Sequence, residues 1–283
     1  AMRPTISSSR VRHSTDDARR WRWTGAVPAL PPGTVVHAIG PDAVEDPAAG
    51  WGGARRPWLY TADPTGPAPG RVLASLGVGY AQVDRGAARP FAADVAHAGA
   101  VFDASAEVGL ARFASLYAQG LLASQGASEP VRAGVFAGVN FFPLPAQWPV
   151  DVAISGGYLR ELGGTNGVWG RVGVAGDLGR FRLSLTTLGE KVFDPDRDEV
   201  DLLVTTGVSV AVLPVLRLGA EYVVQDLEGA WEPEEADGGI RHFVGAVAAL
   251  ELAQRVQISA GPAIGLSQGS PELLGRLTAM YAF

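Results

Sequence analysis

Hydrophobic and polar residues alternate along most of the chain, from about residue 71 to its end. Side chains in a β-strand point alternately to opposite faces, so this period of two predicts strands. We count about twelve such segments, near 71–83, 100–111, 113–123, 131–141, 150–160, 167–177, 180–190, 199–212, 215–226, 239–252, 254–266 and 273–283. Most are close to the length of about 9 to 11 residues that a tilted strand needs to cross a bilayer.

The two faces of these segments differ in chemistry. One face is apolar and is expected to carry no charge. The other face combines Gly, Ser and Ala with the charged residues Asp103, Glu107, Arg132, Asp151, Arg171, Asp177, Arg182, Asp201, Arg217, Glu221 and Arg276. Many apolar positions are Ala or Val, which are too small to fill the interior of a soluble sandwich or barrel. The pattern therefore favours an all-β transmembrane antiparallel up-and-down barrel, with the apolar face toward lipid and the charged residues lining the lumen.

The connections between segments favour the same architecture. If both termini lie in the periplasm, the short predicted turns near 112, 143–149, 178–179, 213–214 and 253–254 face inward, and the longer segments 85–99, 193–198 and 227–238 face outward, as in bacterial barrels. Aromatic residues fall near the predicted rims, with Phe141, Trp148, Tyr281 and Phe283 at the inner rim and Tyr80, Tyr158 and Tyr222 at the outer rim. Pro262 lies on the lipid-facing side of a central segment, where its missing N–H predicts a bulge or a different register.

Residues 1–70 lack the alternation and are rich in Pro, Arg and Trp. We expect a periplasmic extension or plug over 1–70 and a transmembrane barrel over 71–283. The aromatic candidates for contact with a partner or with the lumen are Trp21, Trp23, Trp51 and Trp58. Because many inward positions are Gly, Ala or Ser, either water or this N-terminal arm is expected to occupy the remaining interior.

Composition excludes several other classes of protein. Hydrophobic residues make up 47% of the chain, yet no stretch reaches the roughly 18 apolar residues of a spanning helix, so an α-helical membrane protein is excluded. The chain has no Cys, which excludes disulfides and thiolate metal sites. A net charge of -6 gives no support for nucleic-acid binding. The N-terminus lacks the pattern of an export signal, so we expect a signal peptide to have been removed already.

The end of the chain supplies a family resemblance. Leu277, Ala279, Tyr281 and Phe283 alternate with other residues and end in a terminal Phe. This segment resembles the C-terminal signature of bacterial outer-membrane β-barrel proteins, a porin-like group, although the usual Gly five residues before the final aromatic is Thr278 here. The resemblance implies insertion into the outer membrane by the barrel-assembly machinery, and contact there with membrane lipid and lipopolysaccharide.

We find no catalytic or metal-binding signature. His242 is followed by Phe243 and Val244, so the Ser of the outer-membrane phospholipase pattern is missing. The acidic segment 194–199 resembles the start of a calcium loop but lacks its Gly and its closing Glu. The sequence therefore predicts a protein that is not an enzyme and has no cofactor.

Two functions remain open at the level of sequence. In the first, the barrel is a passive channel or small-solute transporter that its N-terminal arm plugs. In the second, it is an anchoring or structural subunit whose arm binds a periplasmic protein. The lumen charges nearly balance, and strand direction predicts that Asp151, Asp177 and Arg182 meet near the periplasmic end.

Overall fold

The computed structural model describes residues 56–82, 99–123, 132–144, 148–161, 164–193, 200–230, 240–253, 255–267 and 270–283. Its strands are β1 Val72–Gln82, β2 Gly99–Ala111, β3 Ala114–Ala123, β4 Arg132–Phe141, β5 Val150–Glu161, β6 Asn166–Leu178, β7 Phe181–Val192, β8 Val200–Leu213, β9 Leu216–Gln225, β10 Arg241–Ala253, β11 Val256–Gly265 and β12 Leu273–Ala282. One turn of 3-10 helix covers Leu227–Ala230. Within the described ranges, no helix is long and apolar enough to cross a membrane.

The twelve strands form a closed barrel. Each strand pairs antiparallel with its neighbours in sequence, and β1 pairs with β12 from Leu73 opposite Ala282 to Gln82 opposite Leu273. Closure removes the unpaired strand edges that an open sheet would present, so the backbone polar groups of the wall bond to one another. The predicted fold class and strand count are confirmed.

The two rims of the barrel differ in their connections. We call the rim where β1 begins and β12 ends the near rim, and the opposite one the far rim. At the near rim, two residues separate successive strands at 112–113, 179–180, 214–215 and 254–255. Gly179 adopts a φ of 62° in one of these turns, the left-handed conformation that tight hairpins require. The longest connections, 83–98 and 226–240, lie at the far rim.

The outer surface of the barrel is an apolar belt. Every strand contributes at least one large apolar side chain that is exposed, for example Leu76, Phe102, Leu116, Val135, Ile154, Val172, Leu183, Val208, Leu218, Leu250, Ile264 and Leu277. An exposed apolar surface of this extent suits hydrocarbon as its solvent. The expectation of an entirely uncharged face was too broad, because Arg160 and Lys191 occupy outward positions where β5 and β7 reach the far rim.

The expected bulge or change of register at Pro262 is absent. Between β11 and β12, Pro262 pairs with Gly275 in an unbroken register. Toward β10, the register is the same on both sides of the proline, and only the pairings opposite Gly261 and Pro262 are missing. The missing N–H therefore interrupts one ladder locally without shifting it, because both strands are held in place by their other neighbours. The bulge in β10 lies instead between Glu251 and Ala253.

The interior has an apolar core in its far half. One cluster of inward side chains contains Ala81, Leu203, Val223, Phe243, Ala263 and Leu274, and a second contains Phe136, Leu159, Trp169 and Val192. Nearly all of these residues lie at the strand ends of the far rim. The sequence interpretation of the inward face as charged and small residues did not include this layer.

Candidate functional site

Residues 56–70 form a loop inside the barrel, which we call the lumen loop. It starts at the near rim, where the Gln257 side chain donates a hydrogen bond to the Arg56 carbonyl oxygen. It returns to the same rim, where the Gly70 N–H donates to the Gly109 carbonyl oxygen at 2.8 Å. Between these points Tyr60 packs against the apolar cluster of the far half. The described part of the loop therefore enters and leaves the lumen on the same side.

Arg182 of β7 joins the lumen loop to the wall. Its Nε and Nη2 atoms donate to the two carboxylate oxygens of Asp63 at 2.8 and 2.9 Å. Its other contacts are with Asp177 at 2.9 Å and Asp151 at 3.2 Å. The structure thus brings together Asp151, Asp177 and Arg182, and it adds Asp63, which the sequence did not indicate.

The Asp63 carboxylate is fully buried against this guanidinium, with a side-chain exposure of 0%. Burial by itself would raise the pKa of Asp63, but the adjacent Arg182, together with Thr65 and Arg56, outweighs burial and holds the pKa below its usual value. The loop therefore presents an ionised carboxylate to the wall. A buried charge of this kind is stable only while its partner is present.

Glu221 of β9 binds the backbone of the lumen loop. Its carboxylate accepts hydrogen bonds from the N–H groups of Leu59, Tyr60 and Thr61 at 2.9, 3.0 and 2.7 Å. The Thr186 hydroxyl donates to the carbonyl oxygen of the next residue, 62, at 2.8 Å. Wall side chains therefore satisfy loop backbone groups that would otherwise be buried without partners.

A third contact holds the beginning of the loop. The Arg56 guanidinium pairs with Glu107 of β2 and also donates to the Thr65 carbonyl oxygen at 2.8 Å, which links the two arms of the loop. Glu107 accepts further hydrogen bonds from Ser115 and from Asn140, the latter at 2.8 Å. This carboxylate is therefore saturated within the protein.

Arg276 of β12 makes a related contact on another part of the wall. It donates to Asp103 of β2 at 2.8 Å, and its guanidinium carbon lies 5.9 Å from the ring centroid of Tyr60. The pair crosses the strands where the barrel closes. Arg276 therefore connects the strands at which the barrel closes to Tyr60 of the lumen loop.

Glycines in the wall make room for the loop. A Cβ atom at Gly207 would lie 2.7 Å from the ring of Trp58, and one at Gly261 would lie 3.2 Å from Leu59. A Cβ atom at Gly109 would collide with the backbone at Ala68. These three glycines are thus positions where the loop approaches the wall closely, which is a recognised role of glycine inside strands.

Arg171 differs from the other lumen arginines. It donates to Asn140 at 3.2 Å and to Ser155 at 3.5 Å, and its guanidinium carbon lies 5.7 Å from the ring centre of Tyr117 and 5.6 Å from that of Trp169. Arg171 therefore stiffens the wall through aromatic and neutral partners.

The remaining candidates occupy several places. Arg217 donates to Ser209 at 3.3 Å, and Asp201 is buried near the far rim. The side chain of Arg132, all of Trp21, Trp23 and Trp51, and the acidic segments 194–199 and 231–235 lie outside the described residues. Trp58 lies in the lumen loop, where its Nε1 donates to Asp63 at 3.2 Å.

The C-terminal signature and His242 lie on the exterior. Leu277, Ala279, Tyr281 and Phe283 are exposed along β12 and at its end. His242 Nδ1 lies 2.7 Å from the Tyr222 hydroxyl on the outer surface. The imidazole therefore belongs to the aromatic girdle of the far rim.

The barrel resembles known porins in fold. No protein-family profile matches the chain, and no curated protein matches it. Among solved structures, the KdgM porin aligns with a TM-score of 0.51 and 9% identity, covering 75% of this chain and 99% of that one. The KdgM porin in complex with disordered oligogalacturonate aligns with a TM-score of 0.50 and 8% identity over the same shares of the two chains. The described strands therefore have the fold of an outer-membrane porin-type β-barrel.

Proposed function

We propose that this chain is an outer-membrane channel for small solutes whose lumen is closed at rest by the lumen loop. The observation that carries the proposal is the binding of the loop to two buried wall side chains: Asp63 pairs with Arg182, and three backbone N–H groups donate to Glu221. The apolar belt supports the membrane location, and the short turns support a periplasmic near rim. The proposal requires no catalytic step.

A layer of inward apolar side chains in the far half of the barrel also closes the lumen. The inward apolar side chains there, such as Phe243 and Leu203, are nearly inaccessible to solvent. Narrow apolar constrictions oppose the passage of ions by excluding water. Tyr60 of the loop packs into this layer, so displacement of the loop also loosens the apolar constriction.

A second function is supported by the position of Arg56. The described chain begins at the near rim, where the Arg56 carbonyl oxygen accepts a hydrogen bond from Gln257. A barrel that is filled by its own chain suits an anchor for a periplasmic protein. Trp21, Trp23 and Trp51 remain the candidate contacts for such a partner.

Conductance across planar bilayers tests the channel. We expect the wild-type chain to be almost silent, and the double variant Trp58→Ala with Asp63→Asn to show frequent openings, because both changes weaken loop docking and leave the wall intact. Arg171→Gln serves as a matched control, since it removes a lumen arginine that bonds to the wall alone. Silence of the double variant, with its strand content unchanged by circular dichroism, would refute the channel and favour the anchor.

A further inference from the structure

The wall beneath the lumen loop recognises the peptide backbone of the loop as well as its side chains. It contacts the loop at backbone atoms as well as at side chains, and the backbone contacts come from three strands that are distant in sequence. Glu221 accepts three consecutive N–H groups, the Thr186 hydroxyl donates to a carbonyl oxygen, and Gln257 donates to another. Three consecutive N–H groups that converge on one carboxylate require a bent backbone, and residues 59–61 form such a bend.

Side-chain contacts add a preference for sequence. Arg182 holds the Asp63 carboxylate with two parallel hydrogen bonds, a geometry that discriminates a carboxylate from an amide. The absence of a side chain at Gly207 makes room for the ring of Trp58, and Leu59 lies beside Gly261. The wall therefore favours an aromatic residue followed by an apolar residue and, five positions after the aromatic, an acidic one.

We propose that this surface, which we call the wall groove, is a binding site for acidic peptides that the lumen loop occupies as an internal competitor. The inference rests on the proposed function, because it takes the loop to be displaceable. The resident ligand is the segment 56–69 itself, and an external ligand must carry the same chemistry. A carboxylate must reach Arg182, and consecutive peptide N–H groups must reach Glu221.

The charges of the groove explain why it needs an occupant. Arg182 and Glu221 are among the most buried side chains of the described chain. Removing the loop would take from Glu221 the three N–H groups that donate to it, and from Arg182 its closest carboxylate partner. Because buried charges without partners are costly, the empty groove favours a new ligand of matching charge.

Binding of a synthetic peptide tests the inference. The probe is the peptide of residues 56–69 with a fluorophore at its N-terminus, and the readout is fluorescence anisotropy. The receptor is the full chain carrying Trp58→Ala and Asp63→Asn, which weakens the resident loop and leaves the wall groove unchanged. We expect saturable binding to this receptor and little binding to the wild type, because a tethered loop competes at an effective concentration on the order of millimolar.

Two controls make the test specific. A probe with the Asp63→Asn change should bind the same receptor about 10- to 100-fold more weakly, since it loses charged hydrogen bonds to Arg182. Adding Arg171→Gln to the receptor should leave binding unchanged. Absence of saturable binding, or equal binding of the Asp and Asn probes, would overturn the inference.

The outcome separates this inference from the channel. Openings of the double variant without peptide binding would leave the channel standing and reject the groove. Peptide binding to a receptor that never conducts would support the groove and reject the channel. Block of the double variant's openings by the Asp probe, and not by the Asn probe, would support both.

Discussion

Replacing Arg182 by Gln should release the lumen loop. The change removes the guanidinium that holds Asp63, whose side chain is 0% exposed, whereas Asp151 and Asp177 are 40% and 46% exposed. Half-exposed partners contribute little, so nearly all of the cost comes from Asp63. Breaking a buried ion pair costs about 3 to 5 kcal/mol. We take about 3 kcal/mol, because Thr65 and Trp58 still donate to the carboxylate.

This free energy corresponds to about a 100-fold larger population of the undocked loop, since every 1.4 kcal/mol or so is tenfold. The chain has no Cys, so Thr61→Cys introduces a unique thiol at a buried loop position. We expect a maleimide to modify this thiol about 100-fold faster when Arg182→Gln is also present. Arg171→Gln is the matched control and should not change the rate. A modification rate that rises less than about threefold, or rises equally in the control, would refute the assignment of Arg182 as the main residue that holds the lumen loop in place.

Three further predictions test the groove, the lipid face and the strand ladder. Gly207→Val should accelerate modification of the same thiol, because its side chain would enter the space of the Trp58 ring, while Gly120→Val, with nothing within 4 Å of the added Cβ, should not. Val172→Lys should lower the free energy of unfolding in lipid vesicles by about 2 to 4 kcal/mol, measured with urea, because it places a charge in the hydrocarbon region. Pro262→Ala should raise the free energy of unfolding by about 0.5 to 1.5 kcal/mol, since it restores a donor to the β10–β11 ladder. An unchanged value would show that the donor finds no acceptor.

The strands were predictable because one period governs them. Lipid-facing positions favour apolar residues, so the alternation persists from β1 to β12 and gives the strand limits to within about two residues. The same parity placed Asp151, Asp177 and Arg182 on one face of neighbouring strands. Strand direction then predicted that the three side chains lie at the same end of the barrel.

The loop and the apolar core could not be predicted equally well. Asp63 lies in a segment without periodicity, so nothing local indicates that it pairs with an arginine more than 100 residues away. The inward apolar residues, including Phe136, Leu159 and Phe243, did have a signal, because they share parity with the lumen charges. That signal is masked by the small and charged residues around them.

The lumen loop has both of its ends at one rim, and in the proposed channel this geometry limits how the loop can leave the lumen. A segment held in this way can swing out as a hairpin and fold back, with no free chain end passing through the pore. Such a movement would be reversible, because the segment stays covalently joined to β1.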